Sequence, residues 1–322
     1  MSAPPPEHPR ATEMIYCLLK YEVSTIFRRS PYAASLQNNP RKMANLTVPT
    51  STKEKLIDEL ELLYEQKYLQ HCDSKIPLHH LAIVMAKLSI YKMRFVFHHP
   101  RHHPNGASQL SPEESDTLFF NSVRLIEYDN LIRKTKFSEH LLRHMTARTQ
   151  LDALIYMLNE LRRRTTGELV TTAWEQVEMV FNDHPRLIED TDNRLYIAIG
   201  DLTLKAWEAR VAALASKRAD TSRQSTPNYI LALLSRRISN DGDSSARMII
   251  AAEDGKQSTD QHSQSARNSL QHNEPATNAL NTTEETASLS FEVPSADWTF
   301  WEDLLQGHEP EDFGQPFFGQ SC

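Results

Sequence analysis

The chain has 322 residues, 39% hydrophobic and 24% charged, with only 8 glycines and 3 cysteines. One large or two ordinary domains fit that length, while a disulfide framework or a thiolate zinc cluster does not fit so few cysteines. The net charge of −7 is unevenly spread: residues 1–218 carry 29 Lys+Arg against 26 Asp+Glu, and residues 219–322 carry 6 against 16. The second part is therefore too acidic to clamp DNA phosphates.

No run of about 18 apolar residues is present, so no membrane-spanning helix is predicted. The proline-rich start, Met1 to Arg10, lacks the apolar core of a signal peptide. Cys17, Cys72 and Cys322 are far apart, which suggests a reducing, intracellular setting.

After a flexible N-terminus over residues 1–11, residues 13–27 set Met14, Leu18, Val23 and Phe27 on a helical period. Residues 31–50 read as a loop. Ser51 and Glu54 have capping-box spacing for a helix carrying Leu56, Leu60 and Leu63 on one side. Asp73 and Ser74 are candidate caps for a helix with Pro77 in its first turn, ending near Phe97 before His98-His99-Pro100. Ser111-Pro112-Glu113-Glu114 is a further helix start.

Another helix is expected from Ser138, with Leu151, Leu154, Leu158 and Leu161 in a stripe and Gly167 beyond its end. Thr172 and Glu175 again have capping-box spacing, and the helix they would start stops near Pro185. The last long helix begins near Asp192, with Leu195, Ile199, Leu202, Ala206, Ala209 and Ala213 forming its seam. Period-2 alternation is nearly absent. The fold class is therefore all-α: a multi-helix bundle of packed antiparallel helices over residues 12–218, with a disordered acidic C-terminal tail. Residues 219–290 are a polar low-complexity linker with one candidate helix at 227–237, too poor in apolar area to offset about 1–2 kcal/mol per residue of backbone ordering.

Four chemical constellations stand out in the sequence. His98, His99, His102 and His103 cluster between prolines, where a solvated loop is the plainer reading and a metal site the sharper one. Cys72 beside His71 and Asp73, and Ser138 near His140, suggest nucleophile–base pairs, although such partners normally meet through the fold. Arg162-Arg163-Arg164 complements a helix C-terminus, with nuclear import or phosphate contact as the alternative. No catalytic, metal, cofactor or DNA-contacting residues are assigned, and no enzyme is expected.

The tail is more specific. Residues 291–322 hold seven acids, no Lys or Arg, and large apolar side chains. If residues 297–305 are helical, Trp298, Trp301 and Leu305 share a face at i, i+3 and i+7, with Leu304 beside them and Phe300 adding a further aromatic. Like charges should keep these side chains wet until a partner groove takes them, a composition typical of activation segments. The alternative is that they fold back and complete the helical core.

The stretch Glu13-Met14, Cys17 to Glu22 and Phe27, then Tyr68-Leu69, Cys72-Asp73 and Ile76 to His79, then Lys87, Lys92-Met93-Arg94 and His98 to Arg101, resembles the fungal-specific transcription factor domain. That is the middle homology region of fungal binuclear zinc cluster (Zn2Cys6) regulators. Leu151 to Tyr156 with Trp174, Leu195-Tyr196, Leu204 to Trp207 and the Trp298–Leu305 tip agree in style, so the likeness spans about residues 12–217 plus the tip. It implies an all-α regulatory region in a nuclear regulator of a pathway or biosynthetic gene set. The transcription machinery or a co-activator would be the tail's partner. Family members also carry six N-terminal cysteines, whereas residues 1–50 here contain only Cys17. Direct sequence-specific DNA binding is accordingly not expected, and a homologous DNA-binding regulator is a candidate partner. The competing reading is a non-activating scaffold or dominant-negative partner of such a regulator.

Overall fold

Amphipathic stripes, not local propensity, decide how these helices assemble. The computed structural model describes residues 11–29, 48–100, 110–135, 147–216, 225–241 and 298–306, and among them every regular element is helical. The elements are α1 (Ile15–Arg29), α2 (Thr50–Lys67), a 3-10 turn (Leu69–His71), α3 (Pro77–His98), α4 (Pro112–Arg133), α5 (Ala147–Leu161), α6 (Glu168–Asp183), α7 (Arg186–Glu189), α8 (Arg194–Ser216), α9 (Asn228–Asp241) and α10 (Trp298–Gln306). The all-α expectation holds for this described part. The expected linker outside residues 225–241, the helix start at Ser138 and the tail beyond residue 306 lie outside the described residues.

The chain divides into two compact units, Met1–Leu233 with Pro294–Cys322, and Leu234–Val293. Of the second, the structure describes the end of α9. In the first unit, α4 packs against α3, α5 and α6, and α5 in turn packs against α3, α6 and α8. One core cluster joins α1, α2 and α3 through Ile15, Leu19, Val23, Ile57, Leu60, Ala86 and Ile90. The Tyr64 hydroxyl donates to the Leu19 carbonyl at 2.9 Å, and the Tyr68 hydroxyl and Lys67 ammonium donate to the Glu22 carboxylate at 2.6 and 2.9 Å. Burial alone would raise that carboxyl, but Tyr68, Lys67 and Arg29 outweigh it and hold it below its ordinary value.

Several local expectations are corrected. The buried stripe of α1 is Ile15, Leu19 and Val23, whereas Met14 is 59% exposed, because the helix begins only at Ile15 and turns Met14 outward. Helix α2 starts at Thr50 after Pro49 and has no capping box. Its Glu54 carboxylate pairs with His98 and lies 3.6 Å from Arg94, so partners on α3 capture the group the box would have used. Arg94 also donates to Asp58 at 2.8 Å and Glu61 at 3.0 Å, which stitches α2 to α3.

Before α3, Ile76 occupies the cap and Pro77 the first turn; the Asp73 carboxylate instead accepts from the Lys75 amide at 2.9 Å. Helix α6 starts at Glu168, and Thr172 lies inside it, donating to the Glu168 carbonyl at 3.2 Å. Its entry is set by Gly167 at φ 123°, a backbone region that side-chain-bearing residues rarely adopt.

Other signals appear as read. Ser111 and Glu114 cap α4 reciprocally, at 3.2 and 2.9 Å. Leu151, Leu154, Leu158 and Leu161 are all buried, as are Leu195, Ile199, Leu202 and Ala206. Asn193 caps α8, its side-chain oxygen accepting from Leu195 and Tyr196 amides. The candidate helix at 227–237 is α9; its Tyr229 stacks on Phe181 at 5.1 Å.

Candidate functional site

Helix α10 is nine residues long, and helices shorter than about 12–15 residues are marginal in water. Its helicity therefore depends on what it lies against. Trp298, Trp301 and Leu305 share one face, as their spacing predicts, and that face is turned inward: the three side chains are 9%, 4% and 4% exposed. Phe300 and Leu304 are half-buried at the margin, and Asp303 points to solvent. The expectation that these aromatics stay wet is thus corrected for the described helix.

The physical reason lies in the seat. The Trp298 ring meets the His99 ring edge-on at 4.2 Å and stacks near-parallel on Tyr156 at 6.3 Å. Phe95 packs edge-on against both His99 and Tyr156, at 5.1 and 6.1 Å, holding the two seat rings in place. Edge-to-face and offset pairs of this kind add about 0.5–1.5 kcal/mol beyond the burial of their area. Helix α8 forms the remaining wall, packing directly against α10. The seat is thus built where the C-terminal end of α3, the middle of α5 and α8 converge.

Polar groups fix that convergence. Arg164, just beyond α5, donates to Glu160 at 2.8 Å and to Ser115 at 3.1 Å, pairs with Asp116, and lies over the Phe119 ring at 5.1 Å. The C-terminal end of α5 is thereby tied to the capped start of α4. Burial pushes the Tyr156 phenol up to about 12, so it is neutral throughout the physiological range. Deeper in, Asp129 accepts from Arg133 at 2.9 Å and from Gln150 at 2.5 Å, locking α4 to α5. Burial raises the Asp129 carboxyl despite the opposing charge of Arg133.

The other constellations do not converge. His98 turns to Glu54 on α2 and His99 to Trp298, while His102 and His103 lie outside the described residues. Among the described residues no group of three or more His, Cys, Asp or Glu is placed to hold a metal ion. Burial, then the nearby Glu65 charge, raises the Cys72 thiol, which donates to the Tyr68 carbonyl at 3.5 Å; both effects favour the thiol over the nucleophilic thiolate. Ser138 and His140 lie outside the described residues. Of the arginine run, Arg164 is engaged internally, whereas Arg163 is 77% exposed in its side chain and 3.6 Å from Glu160. No described helix is long and apolar enough to cross a membrane.

Sequence reasoning found the α10 face and missed its seat. In sequence His99 belongs to a helix stop and a histidine cluster, and Tyr156 falls between the leucines of the α5 stripe, so neither signals a seat for Trp298.

The chain is similar to transcription regulators of fungi. The aurofusarin cluster transcription factor aurR2 of Gibberella zeae is 29% identical over 321 residues, 94% of this chain and 46% of that protein. Transcriptional regulator AacuB of Aspergillus aculeatus is 22% identical over 231 residues, 72% of this chain and 31% of that protein. The pyriculol/pyriculariol biosynthesis cluster transcription factor 1 of Pyricularia oryzae is 23% identical over 232 residues, 68% of this chain and 29% of that protein. The chain spans less than half the length of these relatives. No family model and no solved structure matches it.

Proposed function

We propose that the chain is a nuclear transcriptional regulator of a fungal pathway or biosynthetic gene set. The observation that carries this is its similarity, along nearly its whole length, to a regulator named for a biosynthetic cluster. In this reading the helical body is the regulatory and dimerising region. The acidic segment 291–322 recruits transcription machinery through Trp298, Phe300, Trp301, Leu304 and Leu305. A short helix with two indoles and a leucine on one side suits an apolar groove, because large aromatic anchors carry most of the energy of such contacts. In this reading a homologous DNA-binding regulator is a further partner of the helical body, and the acidic C-terminal third is not itself a clamp for DNA phosphates.

Tethering residues 290–322 to an unrelated DNA-binding domain tests the recruiting role. Reporter output is expected, with loss on changing Trp298, Trp301 and Leu305 to Ala; silence of the unmodified tether contradicts it.

One observation favours a second reading. The recruiting face is occupied by the body, as befits a scaffold or dominant-negative partner that does not activate. A full chain that pairs with a DNA-binding relative and lowers its output, together with a silent tether, supports that alternative.

A further inference from the structure

We propose that α10 is an intramolecular latch: the body's seat and an external partner groove compete for the same three side chains. This rests on the recruiting role proposed above and adds how that role is controlled. Trp298, Trp301 and Leu305 are buried to within a tenth of full exclusion against the body, and each is also an anchor that a partner groove needs. One face cannot fill two grooves at once. Docking on His99, Tyr156 and α8 therefore holds the chain in a non-recruiting state, and a partner gains access only to the fraction of molecules in which α10 has left its seat.

The site also states what kind of partner it fits. The buried face is aromatic and aliphatic, the outward side of the helix presents Asp303, and the surrounding segment 291–322 carries seven acids and no Lys or Arg. The matching surface is an apolar helix-accepting groove with a positively charged rim, since complementary charge steers the encounter while the apolar floor supplies affinity. Because α10 belongs to the same chain as its seat, docking is an intramolecular step at high effective concentration, and the closed state is favoured in the absence of partner. A modest change at the seat is then enough to shift the balance.

The test uses the full chain fused to an unrelated DNA-binding domain, read against the tethered 290–322 segment. Wild-type full chain is expected to give about a tenth or less of the segment's output. His99→Ala removes the ring under Trp298 and, as the loss of one anchoring contact, should raise full-chain output about tenfold or more. Tyr156→Ala should do the same where circular dichroism shows a folded body. Adding Trp298→Ala to His99→Ala should return the output to background. A wild-type full chain as active as the free segment overturns the latch, whatever the variants do. So does a folded His99→Ala chain with unchanged output beside an active segment. Silence of the segment itself sinks the recruiting role instead, which keeps the two failures apart.

Discussion

Helices α5 and α10 meet where Tyr156 faces Trp298, yet they are buried in different ways. Residues 150–158 of α5 are buried without a break, polar Gln150 and Asp152 included, whereas α10 buries one face and leaves Asp303 in water. A helix buried all round is core, and one buried along a stripe is applied to a surface. The first cannot leave without unfolding the body. The second can leave and expose only its own face and its seat. This contrast separates the stable part of the molecule from the part available for regulation.

The largest effect should come from the core side. Leu158→Ala removes a fully buried side chain from α5 and should destabilise the body by about 2–5 kcal/mol, read from urea unfolding. An effect under about 1 kcal/mol would break the contrast by showing α5 to be loosely packed.

Next comes pH. Burial, helped by the positive charge of Arg133, pushes the His184 imidazole down to about 4. The unfolded chain takes up that proton near pH 6.5 and the folded chain resists it, so stability is lost as pH falls between these values. The expected loss from pH 7 to pH 5 is about 2 kcal/mol, abolished by His184→Asn. Groups of the opposite placement act lower down: the depressed Glu22 and Glu54 carboxyls contribute stability above their unfolded values and lose it as pH falls through their folded ones.

Ser111→Ala breaks the cap that starts α4 and should cost about 1 kcal/mol, measured as a shift of the thermal midpoint. A comparably small global effect is expected from Trp298→Ala, which releases α10 and should lower the body's stability by about 1.4 kcal/mol, the free energy of a tenfold bias toward the closed state. A loss comparable to that of Leu158→Ala would mean that α10 is core after all.

The sequence made the helices and their apolar stripes legible wherever periodicity carried the signal, as in α5, α8 and the face of α10. It was less reliable at helix starts. Of four capping sites read from spacing, the Ser111–Glu114 box formed, whereas Glu54 was taken by His98 and Arg94, Ile76 took the cap expected of Asp73 or Ser74, and Thr172 lies inside α6. A capping motif is local, and a carboxylate goes to whichever partner the tertiary fold brings near. The buried polar pairs, Asp129 with Gln150 and Glu160 with Arg164, show why α5 tolerates burial on its polar side, which no stripe could reveal. The α10 seat was invisible for a related reason. His99 and Tyr156 come from distant segments, and no pattern in the sequence pairs them with each other or with Trp298.

Hydrogen exchange on the intact chain in low, rising denaturant tests the separation of α10 from the body most directly. The account predicts that α10 amides are protected and that they open in a local event, at lower free energy than the amides of α5. Exchange of both helices through one global opening would contradict it, as would α10 amides with no protection at all.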